Sequence, residues 1–314
     1  MSKRITPNEN KIAIGFDSSH NNKLTLENNA FTDFIQYLFD SDFKVGKIEA
    51  GVNKEKLNKY DIFIIGVPHL GPNLDDDEIR DLVNYVKEGG SLLIVNDDGG
   101  DYKNKNNLSK LTKNFGIVFN PDQLFDNKHF FQDNSNPVIK NFESHFITRE
   151  ISEIIHSNGC TLTIDKSIED DNNDVQAIAF SSKKSSWHRI FDGDSLIDES
   201  KPNLAIIGTA HCGLGKVVAI GNLSIFSSLN ESYGIRAAKN FNLIVNIISW
   251  LLNKANSDKE QSEKPIFLTI PIEQDLYYRI KGLLDNGKWK NMEHIINYAL
   301  TNLKNSLKKQ TEDI

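Results

Sequence analysis

Along the first hundred residues the chain alternates between unbroken apolar runs and amphipathic stretches. Lys11 to Phe16 (KIAIGF), Asp61 to Val67 (DIFIIGV) and Ser91 to Val95 (SLLIV) are short apolar runs followed by polar turn residues, the pattern of strands buried on both faces of a parallel sheet. Ala30, Phe31, Phe34, Ile35 and Leu38 recur at helical spacing, and Asp42 to Ile48 then predicts a second short strand. Asp75 to Lys87 repeats the scheme. Its acids sit in the first turn, where the helix dipole favours them, Ile79, Leu82, Val83 and Val86 share one face, and Gly89 and Gly90 end it. Strand, helix, strand, helix, strand predicts an α/β fold of the doubly wound, mostly parallel type.

From Asp101 to Lys201, Asn, Asp, Lys and Ser break the periodicity. Thr161 to Asp165, Ala177 to Ser181 and Trp187 to Phe191 read as strands that extend the sheet or decorate its edge. Asn203 to Ile207 and Lys216 to Gly221 flank HCGLG as a hairpin, and Asn240 to Leu252 closes the body as a helix burying Phe241, Ile244, Val245, Ile248 and Leu252. Residues 253–263 (NKANSDKEQSE) read as a linker. Beyond it, Pro265 to Ile270 alternates as a strand, and two short amphipathic helices follow. These divide the chain into a body, 1–252, and a small strand-helix-helix module, 264–314.

Of the 314 residues, 39% are hydrophobic and 25% charged, an ordinary globular composition. No apolar run approaches the length of a membrane span, and MSKRITPNENK has no apolar stretch behind its charges, so a cytoplasmic protein without membrane contact is expected. Cys160 and Cys212 are the only cysteines and have no zinc-type spacing; they are expected as buried, reduced thiols. The net charge of -7 argues against nonspecific nucleic-acid binding by the whole chain, yet Lys264 to Gln310 carries eight Lys/Arg against four Asp/Glu.

In open α/β sheets ligands bind beyond the carboxyl ends of the strands, which here carry Asp17, Ser18 and His20, then His69, then Asp97 and Asp98. Two readings stay open. Either these groups converge on a polar ligand or a cation, as a metal-assisted hydrolase using Asp17, His20, His69, Asp97 and Asp98 would need, or the aspartates order loops and the histidines are loop residues. Asp75, Asp76 and Asp77 are better explained as a helix start than as a metal cluster. His211 and Cys212, adjacent in a strand, point to opposite faces and are not expected to act together. GLGK at Gly213 to Lys216 lacks the frame of a phosphate loop, and no cofactor or metal is expected.

Several segments in order, FDSSHNN, IIGVPHLGPNLDDDEIRDLVNYVKEGGSLLIVNDDGG, GLGKVVAIGNLSIFS and NFNLIVNIISWLL, give the first 250 residues a resemblance to the class I glutamine amidotransferase-like superfamily. The likeness is to its noncatalytic branch, found in archaeal and bacterial proteins and in the N-terminal domain of an intraflagellar-transport B subunit. It implies a flavodoxin-like, amidotransferase-like sheet. A catalytic member would hold a cysteine in the turn just after SLLIV, where Asn96, Asp97 and Asp98 stand here, so the resemblance implies that amidotransferase activity is lost. The tail resembles a ribbon-helix-helix unit. Such a unit cannot bury its apolar face alone, which implies a homodimer and, as in DNA-binding members, contact with duplex DNA through Lys264, Phe267 and Thr269 and through the backbone at Asn291 and Met292. Phe267 departs from the usual base-reading residue types. Together these readings point to a binding protein rather than an enzyme; the alternative of the same class is a scaffold whose body holds a protein partner and whose tail only dimerises.

Overall fold

The computed structural model describes residues 11–169 and 173–253, with single helical positions at Arg279, Gly282, Ile295 and Ala299. The chain divides into two compact units, residues 1–262 and 263–314. The linker beyond Asn253 and the candidate DNA-contact residues Lys264, Phe267, Thr269, Asn291 and Met292 lie outside the described residues.

The first unit runs β1 (Ala13–Asp17), α1 (Thr32–Asp40), β2 (Lys44–Ile48), α2 (Lys54–Leu57), β3 (Ile62–Gly66), α3 (Asp76–Lys87), β4 (Ser91–Val95), α4 (Gly100–Asn104) and α5 (Leu108–Thr112). A strand-rich stretch follows: β5 (Ile117–Phe119), β6 (Asp122–Asp126), β7 (Phe130–Phe131), β8 (Asp133–Ile139), β9 (Asn141–Phe142), β10 (Ile154–Ile155), β11 (Leu162–Ile164), β12 (Asn173–Phe180), β13 (Ser186–Asp192) and β14 (Ser195–Glu199). The hairpin β15 (Ala205–Cys212) and β16 (Gly215–Ile220) and the helix α6 (Asn240–Leu252) complete the body.

Strands β1, β3 and β4 are buried at every residue, as their unbroken apolar runs require. They pair in parallel in the order β2-β1-β3-β4-β16, the flavodoxin-like arrangement, and β15, β11 and β5 continue the sheet antiparallel. Side chains alternate between two cores. Ile62, Ile64, Leu93 and Val95 pack with α1 and α6 on one face, while Phe63, Ile65, Leu92 and Ile94 pack with α2, α3 and α5 on the other. Helix α3 begins where its acids predict: Asp75 accepts from the Glu78 amide at 2.8 Å and Glu78 accepts from the Asp75 amide at 3.0 Å, a capping box.

The C-terminal end of α6 is tied to the sheet. Helix-terminal carbonyls need donors, and Ser91 Oγ donates to Leu251 O at 2.8 Å while the buried Lys216 ammonium donates to Trp250 O at 3.0 Å and to Asn253 O. Burial pushes that lysine down to about 8.

Three expectations are corrected. Phe241 is largely exposed and meets Tyr37 edge-on at 5.5 Å instead of facing the core. The hairpin turn is shorter than HCGLG, only Gly213 and Leu214, because His211 and Cys212 both belong to β15. The middle strands both extend the sheet and form two small sheets of their own, β10-β8-β7 and β14-β13-β6. Glycine at 215 lets that hairpin lie directly on the end of α3: a Cβ there would strike Gly90 O and Val86 O. Gly215→Ala is expected to cost on the order of 2–3 kcal/mol, the range for forced overpacking, measured by chemical denaturation.

Candidate functional site

At the end of β1, Asp17 is fully buried and acts only as an acceptor. Its carboxylate takes hydrogen bonds from the Ser19 amide at 2.9 Å, Asn22 Nδ2 at 2.7 Å and His20 Nδ1 at 2.8 Å. The other ring nitrogen, His20 Nε2, lies 3.0 Å from Glu78 Oε2, and Glu78 Oε1 accepts from the Val52 amide at 2.8 Å. Both partners are carboxylates, an arrangement that favours the ring carrying a proton on each nitrogen. Burial alone would push the imidazole down; Asp17 and Glu78 outweigh it and hold it above its ordinary value. The group pins β1 to the start of α3 and leaves neither carboxylate turned to a ligand.

Ser18 and His69 are not drawn into this group. The Ser18 amide donates to Ile48 O, and its Oγ is buried without a partner among the described residues, as is His69 Nδ1. His69 is tied instead by its backbone, its amide donating to Asn21 O at 3.2 Å and its carbonyl accepting from Asn21 Nδ2 at 2.5 Å. Two residues before it stands Val67, a β-branched residue held at φ 61°.

The turn after β4 is occupied by an amide network. Asn96 is fully buried; its Nδ2 donates to Asp101 Oδ1 at 2.8 Å, and its Oδ1 accepts from the Asp97 amide at 3.0 Å and from Asn104 and Asn106, each at 3.4 Å. Lys23 closes the group, 2.8 Å from Asn104 Oδ1 and 3.5 Å from Asp97 Oδ2, and Asp98 pairs with Lys103. Burial pushes the Asp97 carboxyl up to about 6, with the Lys23 charge opposing and Asp98 adding to it; burial also lifts Asp101 to about 6 against the hydrogen bonds from Ser109 and Asn96. Thus Asp17 and His20 are brought together, Asp97 and Asp98 are drawn off by lysines, and the five proposed ligands do not form a set. Among the described residues no group of three or more His, Cys, Asp or Glu side chains is arranged to hold a metal ion.

Neither cysteine supplies a nucleophile in that turn. Cys212 lies in the core beneath α3, while His211 faces the opposite way, its ring 5.2 Å from Trp250. Cys160 is fully buried in the same core as Cys212, and the buried His156 lies against Gly159 beside it. Burial drives the two away from an ion pair, the thiol well up and the imidazole down to about 4.

The sequence pattern gave no hint of a cleft that the middle strands form. It has a volume of about 830 Å³ and opens between β11 and β12, which both pair with Ala205 of β15, and the small sheet β14-β13-β6. Phe180, Ile164 and Ile190 line it, and at its polar end His188 stands between Asp122, 2.5 Å from Nδ1, and Glu199, 3.0 Å from Nε2. Burial again works against protonation, and the two carboxylates outweigh it and raise the imidazole. Asp122, His188 and Glu199 come from three strands, with no local motif to announce them.

A flavodoxin-ordered sheet with asparagine and aspartates in the turn after β4 defines a doubly wound α/β domain. The IFT52 GIFT domain family matches residues 13–257, and the chain belongs to it. The curated relatives include "Intraflagellar transport protein 52 homolog" of Mus musculus, 22% identical over 265 residues, which cover 81% of this chain and 60% of that protein. The Homo sapiens protein of the same name is 22% identical over 285 residues, covering 86% of this chain and 62% of its own length. The matched part thus spans about three fifths of these relatives. A solved structure described as "mmIFT52 N-terminal domain" superposes with a TM-score of 0.63 at 19% identity, covering 78% of this chain and 99% of that one, and so shares the fold.

Two pH effects follow. The His20 contribution is complete below the ordinary histidine value and is lost as pH rises through its raised folded value. Glu78→Gln keeps a capping residue but removes the charge; it is expected to cost about 1–3 kcal/mol near pH 6 and less near pH 9, read by urea titration. Asp97 has a folded value above its unfolded one, so the native state binds the extra proton and stability falls as pH rises from about 4 through about 6. Asp97→Asn is therefore expected to gain on the order of 2 kcal/mol over the natural protein at pH 8 and to lose that advantage near pH 4, read by melting temperature.

Proposed function

We propose that the α/β body is a noncatalytic recognition domain that holds a protein partner, and that the residues after the linker join two copies of the chain. The observation that carries this reading is the turn after β4: Asn96 fills the nucleophile position and its amide is committed to Asp97, Asp101, Asn104 and Asn106. An amide in that place has no lone pair of thiolate character, and the neighbouring carboxylates oppose an oxyanion. Membership of the IFT52 GIFT domain family supports the same reading, because the relatives it includes are named as intraflagellar transport proteins. Assembly with transport-type partners, and a place in the cytoplasm from which to meet them, extend that reading to this chain. No helix among the described residues is long and apolar enough to cross a membrane.

The eight Lys/Arg against four Asp/Glu in Lys264 to Gln310 favour a further clause, contact of the paired tails with duplex DNA through Lys264, Phe267, Thr269, Asn291 and Met292. Light scattering on the full chain and on a chain ending at Asn253 tests the assembly: a dimer and a monomer are expected, and a monomeric full chain overturns pairing. Duplex binding of the full chain should weaken steeply as salt rises, and its absence at low salt removes the DNA clause. A glutaminase assay on the purified protein is expected to release no ammonia above background; turnover would refute the noncatalytic reading.

A further inference from the structure

The cleft beside His188 lies apart from the turn after β4 and from the Asp17, His20 and Glu78 group. We propose that it binds small monocarboxylates with an apolar body, the ligand carboxylate taking the place of Glu199 on His188 Nε2. The inference stands apart from the protein-partner reading and survives or fails without it.

The size is that of a small-molecule site: about 830 Å³, within the several hundred to roughly a thousand cubic ångströms such sites occupy. Its walls are apolar where β11, β12 and β13 face it, through Leu162, Ile164, Phe180 and Ile190. The polar end is oriented in advance. Asp122 is 1% exposed and accepts from the Thr161 amide at 2.8 Å, from Thr161 Oγ1 at 2.6 Å and from His188 Nδ1 at 2.5 Å. Fixing that side of the ring fixes the other, so Nε2–H points toward Glu199 and the cleft.

The residue now at Nε2 indicates what the position accepts. Glu199 presents a carboxylate at 3.0 Å, yet its side chain is 50% exposed and it ends β14, an edge strand exposed at all five residues. An ion pair so open to water is held weakly, whereas the His188 side chain it touches is only 6% exposed. A carboxylate arriving from within the cleft would make the same hydrogen bond while burying its apolar body against Phe180 and Ile190. Lys166 and Lys201 stand at the rim; Lys166 is 3.5 Å from Glu169, and Lys201 has no carboxylate within ion-pair reach among the described residues. Glu143 also lines the cleft and would oppose a second negative charge, which favours a monocarboxylate over a dicarboxylate.

The test is a titration of the full-length protein with butanoate, octanoate and dodecanoate, with octylamine as the apolar cation, followed by amide chemical shifts. Saturable shifts at Phe180, His188 and Ile190 with at least one acid, and none there with octylamine, are expected. Glu199→Gln removes the competing carboxylate from an exposed strand and should tighten binding by about threefold or more. His188→Gln should weaken it by roughly tenfold or more. Should that variant fail to fold because Asp122 is left unpaired, Glu199→Gln decides. No saturable shift in the cleft below ~10 mM of any acid, equal shifts with octylamine, or unchanged or weaker binding by Glu199→Gln overturns the proposal.

Discussion

Burial of β3 and β4 on both faces is the constraint from which the rest of the body follows. Ile62, Phe63, Ile64, Ile65 and Leu92 to Val95 are all inaccessible, and they supply both cores at once. A strand in that position has nowhere to put a polar side chain along its length. Its polar residues must collect at the ends, and its flanks must be fully paired: the Val67 amide donates to Val95 O, and the Asn96 amide to Ile220 O. The turn after β4 is therefore rigidly placed whether or not it carries a nucleophile. What differs here is the filling, a set of amides and carboxylates that satisfy one another.

Two buried histidines, each between an aspartate and a glutamate, show how burial decides what one chemical arrangement can do. At His20 the side chains of Asp17 and Glu78 are 0% and 11% exposed, and Glu78 is also the capping-box residue of α3. Removing either charge would leave the buried ring short of a partner, a loss of about 1–3 kcal/mol. At His188 only one carboxylate, Asp122, is buried; the other stands on an exposed edge strand. The first arrangement is a fastener. The second is a fastener on one side and an exchangeable contact on the other.

The parts of the fold legible in the sequence were those where one force acts alone. Continuous apolar runs marked β1, β3 and β4, and acids ahead of an apolar stripe marked α3, because double burial and the helix dipole each write a local pattern. The opposite faces of His211 and Cys212 followed from strand geometry. The stretch from β5 to β14 resisted reading because its strands are short or two-sided and β14 buries nothing, so no period survives. The site residues were hidden for another reason. His20 and Glu78 are 58 positions apart, and His188 and Asp122 are 66 apart, so their pairing is a product of topology that no local spacing records.

The position of that hard-to-read stretch matters to function. β4 and β16 are adjacent and parallel, yet everything from Asn96 to Leu214 is threaded between them in sequence. These strands therefore leave from the carboxyl end of β4, and they hold the cleft with its His188. They also hold several of the exposed apolar side chains, Phe130, Phe131, Leu196 and Ile197. The turn itself is closed by Asn96, whereas the strands between β4 and β16 leave both a cleft and apolar side chains open to solvent. The parallel half of the sheet is thus a fully buried base, and the open surface lies in the segment whose sequence pattern is least regular.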